Sequence, residues 1–215
     1  SVSGLPGAQL WTETGSREFK SMEDVGNYLL GHKETADLVK ARGGKGKALL
    51  IMFDETSEQL VTELGLEMAL PPAKLRTHID SKIVTTKLGN DAGVPSVPNA
   101  LGRASSFAEL RAFAQAHNLG DHLVVQTPYG DSGRTTFFVR TEADWDKYAD
   151  RIVGEDLKVM RYVNHMPGTV EGCATRHGTL VGPIMTDITG FAELTPYKGG
   201  WCGNDASPTV LPADV

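Results

Sequence analysis

The sequence is short of the residues that would tie it to several classes of protein. Only two of its 215 residues are cysteines, too few for a disulfide framework or a four-ligand zinc site, although a single disulfide stays open. It has 21 basic and 27 acidic residues, and with this net charge of −6 the chain as a whole has no positive field that would attract nucleic acid. The six histidines show neither an i, i+4 pair nor a metal-ligand spacing. We therefore expect no nucleic-acid partner and no metal site within this sequence.

Long apolar runs are also missing. No stretch approaches the roughly 20 residues that span a bilayer, and the opening "SVSGLPGAQLWTETG" has no signal peptide. Hydrophobic residues still make up 40% of the chain, which is enough for one large domain or two small ones. We expect a cytoplasmic protein without a membrane partner, and a homodimer is compatible with this. The ends, without an initial methionine or a closing element, suggest a fragment of a longer chain.

The first part of the chain is typical of an α/β unit. Residues 17–41 are helix-prone and end in a glycine stop. The continuous apolar run "KALLIMFD", residues 47–54, predicts a buried parallel strand. A helix follows, with Thr56 or Ser57 as its cap and Gly65 as its end. A strand followed by a helix is the unit from which α/β layers are built.

The remainder has the order of an α+β region. A helix in residues 77–93, capped by Asp80 or Ser81, leads through an extended link to an amphipathic helix in residues 105–120. The strands "HLVVQT" and "TTFFVR", a capped helix in residues 141–154 and three further strands complete the order. Helices alternate with strands at first, and several strands then follow one another, which predicts α+β architecture.

The stretch "VVQTPYGDSGRTTFFV", residues 124–139, carries more polar chemistry than a reversal of direction needs. Gly130 and Gly133 let the backbone approach a ligand, and successive N–H groups in such a turn form an anion-binding concavity. Ser132 adds a hydroxyl donor and Arg134 a planar cation suited to phosphate. The alternative is an ordinary hairpin in which the glycines only satisfy the turn dihedrals.

The order of the segments favours the first interpretation. In chain order the segments are an Asp-Ser-Lys helix, "AGVPSVP", an amphipathic helix, "LVVQT" with "GDSGRTTFFV", a helix, "VMRYV" and "GTVEG". This order resembles that of the ATP-grasp superfamily. It is most similar to the biotin carboxylase and carbamoyl phosphate synthetase branch. The resemblance covers roughly residues 47–190. It implies an α/β plus α+β fold, with a partial Rossmann-like pre-ATP-grasp layer in residues 1–76. An ATP-grasp region, incomplete at its C-terminus, follows in residues 77–215, with a small lobe of about 97–156.

The resemblance also implies a set of site residues. Lys82 stands where the family places a lysine on nucleotide phosphate, and "PYGDSGRT", residues 128–135, resembles the family's glycine-rich flap. "VMRYV" resembles the hinge that holds the adenine edge, and Glu171 is placed for the ribose. Arg134 is the catalytic candidate, as a cation beside the phosphates. The implied nucleotide-binding residues are Lys82, Gln126, Gly130, Ser132, Gly133, Met160, Arg161, Tyr162, Val163 and Glu171.

Three departures from the family pattern stand out. The family's strand lysine is replaced by Gln126, which can donate a hydrogen bond but brings no charge, and Arg134 is a candidate to compensate across the hairpin. Met160 and Arg161 stand where a hinge acid is often found. The family's Mg²⁺ ligands lie in a later "E-x-N" segment, so we expect the Mg²⁺ ligands outside this sequence.

Candidate substrate residues lie towards the C-terminus. Glu171, Arg176 and His177 are expected on alternate positions of a strand, either facing a substrate or forming a polar outer face. "ELTPYKGGWCGND", residues 193–205, is unusual for a loop, and Lys198 and Asn204 in it are candidates for a carboxylate or acyl phosphate. A buried aromatic anchor for a long loop is the alternative.

Two functions follow from the resemblance. The first is an ATP-dependent ligase that activates a small-molecule carboxylate, or bicarbonate, as an acyl phosphate for attack by an amine or another nucleophile. The second is a nucleotide-binding module without catalysis, with a regulatory or structural role, which Gln126 favours. A domain unrelated to nucleotides, with a plain hairpin, is the third interpretation.

Overall fold

The computed structural model describes residues 18–207 and divides into two compact units. The division falls between Thr77 and His78, one residue from the boundary drawn on the sequence. That the first unit is a pre-ATP-grasp layer stays a prediction. None of the helices in the described residues combines the length and the apolar character needed to cross a bilayer.

The first unit is mainly helical. The elements in chain order are α1 Met22–Leu30, α2 Lys33–Ala41, β1 Lys47–Ala48, α3 Glu55–Glu63, β2 Glu67–Met68 and α4 Ala73–Asp80, the last of which runs past the division. The predicted helix over residues 17–41 is thus two helices. The break occurs at Gly31 and His32, where the His32 side chain accepts a hydrogen bond from the Glu34 N–H and caps α2.

The predicted buried strand over residues 47–54 is largely wrong. Only Lys47 and Ala48 are in a strand, paired in parallel with β2, while Ile51 is 93% exposed. The reason lies at the end of the run, where Asp54 accepts a hydrogen bond from the Ser57 N–H and caps α3. Thr56 and Ser57, predicted as caps, therefore lie inside the first turn of the helix. An apolar run needs a partner strand along its length, and β2 supplies only two residues.

The second unit contains a four-stranded antiparallel sheet. Its strands are β3 Asn99–Gly102, β4 Leu123–Gln126, β5 Thr136–Val139 and β6 Leu157–Arg161, in the spatial order β3-β6-β4-β5. The helices around them are α5 Lys82–Asp91, α6 Phe107–Ala116, α7 Glu142–Asp146 and α8 Ala149–Ile152. The predicted order of helix, strand, loop, strand, helix and strand is confirmed. The predicted extended link also holds a strand, β3, which pairs with β6 at the edge of the sheet.

One face of this sheet forms the hydrophobic core. Leu123, Val125, Phe137 and Val159 alternate along the strands, and each is at most 2% exposed. The core is completed by residues of the helices and loops, chiefly Leu110, Ala114, Leu119, Trp145 and Ile152. Because side chains alternate between the two faces of a strand, the intervening residues of all four strands lie on the opposite face.

A second sheet follows in the same unit. It consists of β7 Gly168–Thr175, β8 Gly178–Thr189 and β9 Trp201–Asp205, all antiparallel and in that order. The first two strands were predicted, whereas residues 201–205 were predicted as a loop. The structure corrects this, because the long strand β8 pairs with the segment through Thr186 opposite Asp205 and Ile188 opposite Gly203.

The helix after β5 gives a test of local stability. Thr141 caps α7 by accepting a hydrogen bond from the Asp144 N–H, and the Asp144 carboxylate accepts bonds from the N–H groups of Arg140 and Thr141. The hydroxyl and N–H groups of Thr141 lower the pKa of Asp144 from 3.8 to about 2. Since the folded-state pKa is lowered, this carboxylate stabilises the fold above pH 3.8, and its contribution is lost as the pH falls towards 2.

We predict that Asp144→Asn lowers the free energy of unfolding at pH 7 by about 0.5–2 kcal/mol, the usual cost of weakening a cap. The difference between parent and variant should shrink as the pH falls from 4 to 3, because this carboxylate takes up a proton near pH 3.8 in the unfolded chain but only near pH 2 in the folded one. Urea unfolding at several pH values measures both quantities. Asp146→Asn, at the other end of α7, is the matched control and should change little. A difference that stays constant between pH 7 and pH 3 would contradict the assignment.

Candidate functional site

The face of the four-stranded sheet that does not join the core is lined by eight half-buried side chains, and we term it the open face. One row lies near the β4–β5 loop and the other lies further from it. The first row is Leu101, Lys158, Gln126 and Thr136, and the second is Asn99, Met160, Val124 and Phe138. These positions are neither sealed in the core nor fully exposed.

The loop between β4 and β5 is the flap, residues 128–135. Gly130, Ser132 and Gly133 all have positive φ angles, of +132°, +48° and +78°. A methyl group at Gly133 would lie only 2.6 Å from the carbonyl oxygen of Gly199, so the absence of a side chain lets the flap lie directly on the 199–200 backbone. Glycine at position 133 therefore allows both the positive φ of the turn and the close contact of the flap with residues 199–200.

Lys82 lies against the flap. Ser81 caps α5 and makes Lys82 its first residue, which fixes the point where the side chain leaves the helix. The Lys82 N–H donates to the carbonyl of Pro128 at 2.8 Å, and its ammonium donates to the carbonyl of Gly130. Burial lowers the pKa of Lys82, while the nearby charge of Asp131 opposes this shift. The lysine is thus a partly desolvated cation held against the flap.

One polar side chain of the flap lacks a hydrogen-bond partner among the described residues. The Thr135 hydroxyl is buried and has no hydrogen-bond partner among the residues that the structure describes. A buried polar group without a partner costs free energy, so a conformation that gives this hydroxyl a partner is favoured.

Arg134 does not stand opposite Gln126. In the strand register Gln126 pairs with Thr136, and its amide donates to the Thr136 hydroxyl at 3.0 Å. The Arg134 guanidinium is exposed and lies 3.8 Å from the carboxylate of Asp131 within the flap. The predicted compensation for Gln126 across the hairpin is therefore wrong for this arrangement, because Arg134 lies in the turn two residues before the register begins.

The hinge residues split between the two faces of the sheet. Met160 lies on the open face, whereas the Arg161 side chain lies on the other side and donates to the carbonyl of Asn118. The Tyr162 N–H donates to the His122 carbonyl at 2.8 Å, and the carbonyl of Val163 contacts Nδ1 of His165 at 2.8 Å. A role for Arg161 at this site can therefore involve its backbone but not its guanidinium.

Lys198 lies over the hinge end of the open face. Its ammonium is 4.6 Å from the centre of the Phe138 ring and 5.9 Å from that of Tyr162, distances at which a cation is attracted to an aromatic face. Tyr162 stacks on His122 with their ring centres 4.0 Å apart. Burial, with the charge of Lys198 as a second cause, lowers the pKa of His122. The structure thus brings Lys198 to the same surface as Lys82 and the flap.

Other predicted residues are placed elsewhere on the second sheet. Arg176 and His177 form the turn between β7 and β8, so the expectation that they alternate along a strand is wrong. The eight residues of β7 span about 25 Å at the usual rise per residue, so the turn lies about that far from Gly168, where the strand begins. Glu171 lies exposed at an irregularity of β7, and Asn204 donates to the Asp187 carboxylate across β8 and β9.

Lys158 was missed from the sequence. It lies on β6 in direct register with Gln126, half-buried on the open face. Burial lowers the pKa of Lys158, and the charge of Lys82 lowers it further. The alternation of "LKVMR" could have indicated it, because Lys158 occupies the polar position between two buried residues of a strand.

Within residues 18–207, no group of three or more His, Cys, Asp and Glu side chains is placed to hold a metal ion. The Mg²⁺ that the sequence resemblance implies therefore meets no such cluster in these residues.

The sequence matches no protein-family model and no curated protein. Solved structures do match the fold. D-alanyl-alanine synthetase A from Vibrio cholerae aligns with a TM-score of 0.53 and 12% identity, over 73% of this chain and 49% of that one. The ATP complex of carboxyaminoimidazole ribonucleotide synthase from Aspergillus clavatus gives 0.51 and 16%, over 74% and 41%. A complex of N5-carboxyaminoimidazole synthase from the same organism, with ADP and 5-aminoimidazole ribonucleotide, gives 0.50 and 16%, over 65% and 35%.

These structures are ATP-grasp enzymes, and the chain has the ATP-grasp fold that the sequence predicted. It spans about half or less of the length of each structure named. The mixed α/β fold class is confirmed for the matched part, while the Rossmann-like layer in the first unit is not.

We predict that Gly133→Ala loosens the flap. The added methyl group would strain a backbone with a φ of +78° and collide with the carbonyl of Gly199, so the flap should lift from residues 199–200. Hydrogen exchange at residues 128–136 should quicken by about tenfold or more, the equivalent of the strain of one such residue. Gly154→Ala is the matched control, because Gly154 also has a positive φ, of +91°, but nothing lies within 4 Å of its added carbon. Equal exchange in the two variants would contradict the contact.

Proposed function

We propose that the second unit binds ATP on the open face, beneath the flap. The observation that carries the proposal is the placement of Lys82, a partly desolvated cation, against the carbonyl of a glycine-rich flap on an ATP-grasp fold. A cation, a hydroxyl and turn N–H groups around one space form a site for an anion such as a phosphate chain. Residues 77–215 are then the ATP-grasp region, with the four-stranded sheet in its small lobe of about 97–156.

The two rows of the open face suggest how the nucleotide lies. Gln126 and Thr136 adjoin the flap, so the phosphates belong at that end, near Lys82 and Ser132. Met160 and Val124 offer an apolar surface at the other end, towards Tyr162, where a purine ring is best accommodated. The flap N–H groups would then bind phosphate oxygens, and closing the flap would exclude water from them.

We further propose that the whole protein is a ligase acting on a small-molecule carboxylate or bicarbonate. A carboxylate oxygen attacks the γ-phosphorus of ATP, the bond to ADP breaks, and an acyl phosphate results. An amine or another nucleophile then attacks the acyl carbon and releases phosphate. Arg134 is proposed to stabilise the transferring phosphoryl group after the flap moves, and Lys198 to hold the carboxylate near the hinge end. The roles predicted for Glu171, Arg176 and Asn204 stay predictions, and the proposed step does not use them.

A nucleotide-binding module without catalysis is the second candidate. The uncharged Gln126 supports it, because an amide stabilises the developing charge of a phosphoryl transfer less than a lysine would. Both candidates bind ATP in the same place. They differ in whether ATP is consumed when a carboxylate is supplied.

Calorimetric titration with ATP tests the binding proposal. We predict that Lys82→Met weakens ATP binding by about tenfold or more, because a charge-assisted bond to phosphate is lost, and leaves the affinity for adenosine unchanged. Lys87→Met is the matched control, since Lys87 lies exposed on the same helix. ATP should also slow hydrogen exchange in residues 128–135. A parent protein that gives neither heat with ATP nor protection of the flap would contradict the proposal. Release of ADP with a carboxylate or bicarbonate present separates the ligase from the module.

A further inference from the structure

The strand that leads into the flap carries no charge on the open face, but its neighbour does. Lys158 on β6 is in direct register with Gln126 on β4. Residues opposite each other on antiparallel strands have their Cβ atoms about 5 Å apart on the same face, so the two side chains serve the same patch of surface.

Gln126 brings no charge to this patch, and its side chain turns away from Lys158. Its amide nitrogen donates to the Thr136 hydroxyl at 3.0 Å, which directs the side chain towards β5 and away from β6. The positive charge of the patch thus comes from β6.

The surroundings of Lys158 lack an anion. Among the described residues it forms no ion pair and no side-chain hydrogen bond, although it is half-buried. It lines a cavity of about 240 Å³ between α5 and the open face, whose other lining residues are neutral: Thr85, Thr86, Gly89, Asn90, Val94, Ser96 and Asn99. A lysine that is partly removed from water, without a carboxylate beside it, is stabilised by an anionic ligand.

Lys82 adds a second cation to the same end of the open face. The charge of Lys82 lowers the pKa of Lys158, whereas Asp80 and Asp131 oppose the effect of burial on the pKa of Lys82. A like charge in the vicinity disfavours the charged form of Lys158, and an anion between the two lysines removes that cost. The arrangement is therefore organised for a ligand with several negative charges.

We propose that Lys158 is a phosphate-binding residue of the nucleotide site, which supplies from β6 the charge that Gln126 does not supply from β4. Lys82 and Lys158 then bind the phosphate chain from two sides, beneath the flap. This inference rests on the proposed binding of ATP, and it names a residue that the order of the sequence motifs did not mark.

Moving the charge between the two strands tests the inference. Calorimetric titration with ATP, ADP and adenosine is carried out on the parent, on Lys158→Gln, and on the exchange variant Gln126→Lys with Lys158→Gln. We expect Lys158→Gln to weaken ATP binding by about tenfold or more and to leave adenosine unchanged, because only the phosphates are contacted. The exchange variant should recover ATP affinity to within about threefold of the parent, since the register returns the cation to the same patch. Lys87→Gln is the matched control and should bind ATP as the parent does.

Thermal melting without ligand supplies a second readout. Lys158→Met should fold and melt at a temperature equal to or above that of the parent, because it removes a half-buried charge that nothing in its surroundings balances. A lysine with a merely structural role would instead lower the melting temperature when replaced, and that result would overturn the inference.

The outcomes separate this inference from the proposed function. If the parent binds ATP and Lys82→Met weakens binding while Lys158→Gln does not, the role of Lys158 is overturned and the nucleotide site stands. If Lys158→Gln weakens ATP and adenosine equally, the lysine does not bind phosphate and the inference is again overturned. If the parent does not bind ATP at all, both fail together.

Discussion

The antiparallel pairing of β4 with both β5 and β6 is the interaction on which the rest of the second unit depends. Its register decides which side chains enter the core and which remain on the open face, because a shift of one residue would exchange the two sets. Leu123 and Val125 are sealed on one side, and Gln126 is left on the other between Thr136 and Lys158. The packing of the hydrophobic face thus fixes where the side chains of the open face lie, and with them the geometry of the proposed site.

The flap is held by contacts that a ligand can replace. Its carbonyl at Gly130 accepts from Lys82, and its backbone at Gly133 lies on Gly199, while the Thr135 hydroxyl is left buried without a partner among the described residues. Phosphate oxygens would draw the Lys82 ammonium from the carbonyl, since a charge-assisted bond to an anion is stronger than one to a neutral acceptor. The flap contacts seen here thus involve the same polar groups that would face a ligand.

The charges of the open face support the same conclusion. Lys82 and Lys158 are both partly withdrawn from water, and burial lowers the pKa of each. A fold selected only for stability gains nothing from two such lysines, because desolvation and mutual repulsion oppose their charges. Their placement at one end of the sheet, with Lys198 at the hinge end, fits the proposed binding of ATP, an elongated anion with an apolar part.

The sequence by itself determined the features that local patterns encode. The Ser81 cap, the amphipathic α6, the hairpin of β4 and β5 and the strands β6 to β8 follow from alternation and punctuation over a few residues each, and their order was sufficient to indicate the ATP-grasp fold. Tertiary structure decided what depends on partners distant in the chain. The apolar run at residues 47–54 finds only two residues to pair with, and the segment at 201–205 becomes a strand because β8 lies beside it. Lys158 gains its place beside Gln126, 32 residues earlier in the sequence, through lateral pairing between strands, and no local pattern specifies which strand will lie next to which.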